Sequence, residues 1–288
     1  MKLVRFGPAG AERPGVWLDN ALGPDRPGLL DVRAMSFDLA DYDRPFFERW
    51  GLDRLRGLLS EPARVVIPAE GLRLGPPVPR PGQIICLGKN YADHVAEFDA
   101  RRPERPLLFA KAVSAVIGPF DPIELPADGQ VDIEVELAVV IGRTARRVSE
   151  AQAMDCVAGY TILNDITDRR AQRADGQWFR AKSHNTFCPL GPFLLTAEEA
   201  GDPYARRLFS SLDGQPLQEA RADRMLFRLA ELIAYASDTL TLQPGDVLAT
   251  GTPGGIGSAR TPPVLARRGS LIEAGIEGWG IQRNRVSG

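Results

Sequence analysis

Residues 132–137 alternate acid with hydrocarbon: Asp132, Glu134 and Glu136 interleave with Ile133, Val135 and Leu137, and an apolar run continues to Ile141. In an extended strand, residues two apart share a face. The stretch therefore has to turn its carboxylates to one side and build a core on the other. Like charges held together in a folded interior raise the pKa of some of the acids or demand a counter-charge, and a divalent cation supplies one. Asp165, just after the run Tyr160–Leu163, completes the set if a neighbouring strand end brings it alongside. Glu134, Glu136 and Asp165 are the candidate metal ligands. A solvated strand face carries the same alternation, so spacing alone leaves both readings open.

The remaining composition narrows the ion. The chain has two histidines, His94 and His184, and three separated cysteines, Cys86, Cys156 and Cys188, with no C-x-x-C pair. That is too little nitrogen and sulfur for a zinc centre, whereas oxygen donors are plentiful, so the expected ion is hard: Mg²⁺ or Mn²⁺, with Ca²⁺ as a stand-in in crystals. A net charge of -2 with 35 dispersed Lys and Arg provides no basic field for nucleic acid. No apolar run approaches the roughly 20 residues that cross a bilayer, and the N-terminus lacks a signal-peptide pattern. These features predict a cytoplasmic protein with neither a nucleic-acid nor a membrane partner.

The strand-like runs Leu3–Phe6 and Val65–Ile67 and a helical stretch over Phe46–Leu59 predict a small accessory domain over residues 1–74. Four prolines between Gly75 and Pro81 read as a linker, and residues 75–288 as the catalytic domain. In that domain, strand runs at Ile84–Leu87, Ile133–Ile141, Gly159–Asn164 and Val247–Thr250 and a hairpin signal at Asp213-Gly214 predict a β-rich α+β fold with short helices. One helix has a capping box at Ser149 and Gln152, and another follows Asp223 with Met225, Leu229, Leu232, Ile233 and Ala236 on one face.

His94 and Glu97 stand three apart, which on a helical turn makes a dyad in which a carboxylate orients an imidazole base. A surface helix with an incidental histidine has the same spacing. Lys182 offers a fixed positive charge for an oxyanion. The segment Gly251-Thr252-Pro253-Gly254-Gly255-Ile256-Gly257 offers backbone N–H groups and a hydroxyl for a small carboxylate, without the Gly-Lys-Ser/Thr of a P-loop. Arg169, Gln172 and Tyr91 are further substrate-binding candidates, and His184 reads as structural.

The segments Gly88-Lys89-Asn90-Tyr91-Ala92-Asp93-His94, Phe109-Ala110-Lys111, Glu134-Val135-Glu136-Leu137, Asn164-Asp165, Lys182 with Cys188-Pro189-Leu190-Gly191-Pro192, and Gly245-Asp246-Val247 leading into Thr250-Gly251-Thr252-Pro253 resemble, in order, the fumarylacetoacetate hydrolase family. The resemblance implies a β-roll fold of mixed β-roll and β-sandwich character, usually dimeric. It also implies Mg²⁺ or Mn²⁺ on Glu134, Glu136 and Asp165, a His94–Glu97 dyad on a lid, an enolate-stabilising Lys182 and a substrate carboxylate near Thr252. Leu87 stands where the founding hydrolase has a fourth carboxylate, as in the three-ligand bacterial branch. Lys182-Ser183-His184-Asn185 and Arg170 depart from frequent residues of that family and bear on the distal pocket. The N-terminal Met1–Gly7 and the C-terminal Pro262-Pro263, Gly269 and Gly278-Trp279-Gly280 resemble a bacterial subgroup acting on diketo-deoxy sugar acids, and ureidoglycolate lyases and muconate isomerases look similar at the same positions.

The activity so implied is hydrolytic cleavage of a carbon–carbon bond in a 2,4-dioxo acid by way of an enolate. A decarboxylase or tautomerase of 2-oxo acids (oxaloacetate or hydroxymuconate type) on the same site, and a non-catalytic metal- or ligand-binding relative, are the alternatives.

Overall fold

A computed structural model describes residues 1–97 and 101–287 of the chain. Its centre is the strand Val135–Ile141, every residue of which is buried. The burial follows from position. The strand pairs antiparallel with Val157–Asn164 on one side and with Val247–Ala249 on the other, so both edges are taken, while Leu137 and Val139 on one face and Ala138 and Val140 on the other enter two different core clusters. Beyond Val247–Ala249 the sheet continues through the parallel strand Ile84–Gly88 to the edge strand Leu107–Lys111. In the other direction it runs through Leu194–Thr196 to Lys2–Phe6 and on to Arg13–Leu18, Gly28–Asp31 and Val66–Pro68.

The 11-stranded sheet thus passes without a break across the boundary expected near residue 74. Leu3, Val16 and Leu30 from the N-terminal strands share a core cluster with Ile84, Ala138 and Val140. The expected proline-rich linker is packed as well: residues 75–78 are buried, and Leu74–Gly75 pairs with Arg5 and Phe6. A second sheet, ordered Gln215–Arg221, Arg207–Leu212, Leu271–Ile276, Gly280–Ser287 and Ile123–Glu124, packs against the first. The molecule is strand-rich α+β with short helices, as the patterning predicts. Among the described residues no helix is long and apolar enough to cross a membrane.

Local chemistry explains where the elements stop. Asp213 (φ 53°) and Gly214 (φ 79°) both take left-handed conformations in the two-residue turn between Arg207–Leu212 and Gln215–Arg221, which suits the twist of a hairpin. The capping box at Ser149 and Gln152 is formed. The helix expected over Phe46–Leu59 is instead two helices, Arg44–Glu48 and Gly51–Ser60, because Trp50 is left-handed at φ 61°. The helix expected to follow Asp223 begins only at Leu229, leaving Met225 to bridge to Tyr91.

Gly159 marks the tightest approach in the central sheet. A Cβ there would lie 1.9 Å from the carbonyl oxygen of Leu195, a backbone atom that cannot swing aside. Gly159→Ala is expected to destabilise by about 1–3 kcal/mol, toward the upper end of that range. Urea unfolding of the purified variant, read as a lowered midpoint with an unchanged slope, measures it.

Candidate active site

The acid-bearing strand and its neighbour meet with Val135 opposite Asn164. This register places the next residue, Asp165, beside Glu134: the Asp165 N–H donates to the Glu134 carbonyl at 2.8 Å, and the Glu134 N–H donates to Asn164 Oδ1 at 3.0 Å. Glu134, Glu136 and Asp165 are all buried, with carboxylate oxygens within 4.8 Å of one another.

Asp132 is turned elsewhere. The strand breaks between Asp132 and Val135, and Asp132 accepts from the Gly257 and Ser258 N–H groups at 2.9 and 3.0 Å and from Arg169 Nε at 3.0 Å. Arg169, itself buried, also donates to Glu134.

Two buried lysines complete the cluster. Lys182 Nζ donates to Glu134 Oε2 at 2.9 Å, Asp165 Oδ2 at 2.5 Å and Thr167 Oγ1 at 2.9 Å, which commits all three of its hydrogens. Lys111 Nζ donates to Asp165 Oδ1 at 2.6 Å and to the carbonyls of Ile166 and Lys182. Burial alone would lower the Lys182 pKa, but Asp165 and Glu134 raise it well above the usual lysine range. Burial would likewise raise Glu134, but Lys182 and Arg169 outweigh it and hold that carboxyl well below the ordinary range.

Glu136 differs. Burial pushes its pKa up, and Asp165 and Glu134 push it further. It forms no ion pair among the described residues, and accepts the Gly251 N–H at 2.8 Å. Four buried carboxylates (Asp132, Glu134, Glu136 and Asp165) thus face three cations (Lys111, Arg169 and Lys182), and the unmatched charge lies at Glu136. Close-set hard oxygen donors with an uncompensated negative charge fit a divalent cation such as Mg²⁺ or Mn²⁺.

Glu134, Glu136, Arg169, Lys182 and His94 line one cavity of about 390 Å³, walled on its apolar side by Leu87, Val95, Phe109 and Trp178. Phe109 meets Trp178 edge-on at 5.2 Å between ring centroids and lies 5.0 Å from Lys182 Nζ, so an aromatic wall shields the ammonium group from water. His94 sits on the short helix Ala92–Ala96, and its Nδ1 is 3.2 Å from Glu97 Oε2. Glu97 Oε1 accepts the Gly255 N–H, tying this helix to the glycine-rich segment.

Several expected residues take other places. The Gly251 N–H, expected to meet a substrate carboxylate, is donated to Glu136. The Thr252 hydroxyl donates to the Val135 carbonyl at 2.9 Å and accepts from Gln218 Nε2 at 2.7 Å, although Thr252 does line the cavity. Tyr91 is packed in the core with Leu87 and Met225 rather than on the cavity wall, and its hydroxyl has no hydrogen-bond partner among the described residues. Gln172 lines the cavity and accepts from Arg169 Nη1 at 3.0 Å. His184 packs tilted against Phe187, with 4.9 Å between ring centroids, and does not line the cavity.

Lys111 and Gln218 were not assigned from the sequence. Lys111 had a signal, since it ends the segment Phe109-Ala110-Lys111, but a lysine closing a strand ordinarily points to solvent. Gln218 had none.

The model of the fumarylacetoacetate hydrolase C-terminal domain matches residues 83–287. The chain belongs to the fumarylacetoacetate hydrolase family. Among its family relatives, a provisionally named hydrolase of Burkholderia lata is 41% identical over 98% of this chain and 97% of its own. The crystal structure of a fumarylacetoacetate hydrolase from psychrophilic Exiguobacterium antarcticum is 35% identical with a TM-score of 0.83, covering 100% of this chain and 99% of that one. A 5-carboxymethyl-2-hydroxymuconate delta-isomerase from Mycobacterium smegmatis is 36% identical with a TM-score of 0.77 over the same shares. The structural neighbours therefore include both a hydrolase and an isomerase.

Proposed function

We propose that the chain is a divalent-cation-dependent hydrolase that cleaves a carbon–carbon bond in a 2,4-dioxo acid of the acylpyruvate or diketo-deoxy sugar acid type. One observation carries the reading: a single cavity is lined by Glu134 and Glu136 of the acidic cluster, by the buried cations Arg169 and Lys182, and by a histidine oriented by a carboxylate. Bound to Glu134, Glu136 and Asp165, Mg²⁺ or Mn²⁺ would supply a Lewis acid for the oxo-acid end of the substrate.

The residues of the chain supply the rest. Glu97 on Nδ1 makes Nε2 the basic nitrogen of His94. His94 takes a proton from water, the resulting hydroxide attacks the distal carbonyl, and the carbon–carbon bond breaks with its electron pair passing to the oxo-acid fragment as an enolate. Protonation of that enolate at carbon gives the 2-oxo acid, and the other product is a carboxylic acid. Lys182, its hydrogens already committed, serves as a fixed charge beside the developing anion rather than as a direct donor. Arg169 adds a second positive charge to the same wall. The reading takes the working enzyme as cytoplasmic and, following the family resemblance, as a homodimer.

An isomerase or decarboxylase would use the enolate without an attacking water. An isomerase would use the His94–Glu97 pair to move a proton within the substrate rather than to activate water, so the fate of solvent oxygen separates the two. Turnover of an acylpyruvate in water enriched in oxygen-18 tests this by mass spectrometry. Label in the carboxylate of the released acid is expected, whereas release of CO₂ or an unlabelled isomer would contradict it.

A further inference from the structure

The backbone ladder beside the acid-bearing strand stops short of the carboxylates. Val247–Ala249 pairs with Ala138–Val140, the Thr250 N–H still reaches the Leu137 carbonyl at 3.0 Å, and the chain then leaves as the glycine-rich segment. Val135, between Glu134 and Glu136, lies beyond the end of that ladder and is buried, so its N–H and C=O need other partners. Both partners are side chains. The Val135 N–H donates to Gln218 Oε1 at 3.1 Å, and the Val135 carbonyl accepts from Thr252 Oγ1 at 2.9 Å.

Gln218 comes from the strand Gln215–Arg221 of the second sheet and is 1% exposed. Its Oε1 also accepts from the Ser210 hydroxyl at 2.9 Å, and its Nε2 donates to Thr252 Oγ1 at 2.7 Å and to the Pro253 carbonyl at 2.8 Å. These bonds use both donors and both acceptor positions of the amide. The Val135 N–H needs the amide oxygen and the Pro253 carbonyl needs the amide nitrogen, so backbone on two sides fixes which end is which. One side chain thus spans the gap between the acid-bearing strand and the glycine-rich segment. That segment in turn meets the rest of the site: the Gly251 N–H donates to Glu136 Oε2 at 2.8 Å, and the Gly255 N–H donates to Glu97. It also lies directly on the strand that carries Gln218, since Arg260 donates to the Leu217 carbonyl at 2.5 Å and a Cβ on Gly255 would lie 2.3 Å from the same oxygen.

Taking Glu134, Glu136 and Asp165 as the cation site proposed above, we infer that Gln218 is a positioning residue of that site. It does not line the cavity. It holds Val135 and Thr252–Pro253 at a fixed separation, and so keeps Glu134 and Glu136 aimed at one point. Without the amide, the Val135 N–H and the Pro253 carbonyl lose buried partners, and any shift that finds them new ones moves Glu136 relative to Glu134 and Asp165.

The test titrates Mn²⁺ into wild-type protein, Gln218→Met and Ser210→Ala, followed by calorimetry and by the electron paramagnetic resonance of the bound ion. Gln218→Met keeps the length of the side chain and removes all four of its bonds. It is expected to weaken Mn²⁺ binding by about 10–100-fold, the usual effect of removing a group that orients metal ligands, and to change the spectrum of the ion that still binds. Ser210→Ala breaks only the bond on the far side of the same amide, and its Mn²⁺ affinity should stay within about twofold of wild type, whatever it loses in stability. A loss below about fivefold in Gln218→Met, or an equal loss in Ser210→Ala, overturns the inference, because either result makes Gln218 a packing residue and no more. Gln218→Asn, which keeps the amide on a shorter stem, carries the same readouts if the methionine variant does not fold. Wild-type protein that binds no Mn²⁺ at millimolar concentration refutes the cation reading itself, whereas equal binding by wild type and variant refutes only the role of Gln218.

Discussion

Replacing Lys182 by Met is expected to damage both the fold and the chemistry. The ammonium group is 2% exposed and pairs with Glu134 and Asp165, so its loss leaves two buried carboxylates short of a counter-charge. Removing one partner of a buried ion pair costs about 3–5 kcal/mol. Without added metal, urea unfolding should show a loss of that order. Saturating Mg²⁺ or Mn²⁺ should restore part of it, because a divalent ion supplies charge to the same acids. With metal present, kcat should still fall, by at most about 10²–10³-fold, the effect of removing a direct oxyanion-hole donor, because Lys182 acts as a nearby charge and not as a donor. Lys182→Arg should rescue neither quantity well, since a planar guanidinium cannot reproduce three bonds converging on one nitrogen. A Lys182→Met protein as stable and as active as wild type would remove the lysine from the account.

His94→Ala should separate the chemistry from the metal site. His94 lies on the short helix above the cavity and not among the clustered carboxylates, so the variant should bind Mn²⁺ as wild type does. Loss of a general base is worth about 10²–10⁴-fold in kcat. Glu97→Gln should give a smaller loss, because the imidazole remains while its orienting carboxylate becomes neutral. Unchanged hydrolysis of an acylpyruvate by His94→Ala would take the dyad out of the mechanism. Simultaneous loss of Mn²⁺ binding would show that the histidine serves the site in another way.

The parts of this site legible in the sequence were those that follow strand geometry. Glu134 and Glu136 are two apart on one face, and the antiparallel register beside them delivers Asp165 at a strand end, so periodicity and a short list of acids were enough. His94 and Glu97 were legible for the same reason on a helical turn. What stayed hidden depends on contacts between distant segments. Gln218 reaches Val135 across 83 positions and Lys111 reaches Asp165 across 54, and no local pattern announces either.

The destination of Asp132 was also hidden, because the strand that should have aligned it with Glu134 and Glu136 breaks after it and hands it to Arg169 and the Gly257–Ser258 backbone. In the fold, the left-handed Trp50 splits a helix that hydropathy draws as continuous, since nothing about a tryptophan signals that conformation. The N-terminal segment reads as a separate domain only until Lys2–Phe6 is seen to pair with Leu194–Thr196, a partner nearly 200 residues away.

The claim on which the rest depends is that Glu136 is a buried acid whose charge a divalent cation neutralises, and manganese binding to Glu136→Gln tests it most directly. The substitution keeps the shape of the side chain and removes the carboxyl of the cluster that forms no ion pair among the described residues and whose ionised form burial, Asp165 and Glu134 disfavour, so the metal-free variant should be at least as stable as wild type. Isothermal calorimetry or the electron paramagnetic resonance of Mn²⁺ should then show one ion per wild-type chain and an affinity for the variant lower by at least about 100-fold. Equal Mn²⁺ binding by the two proteins, or no binding by wild type at millimolar Mn²⁺, would contradict the metal site and the reaction built on it.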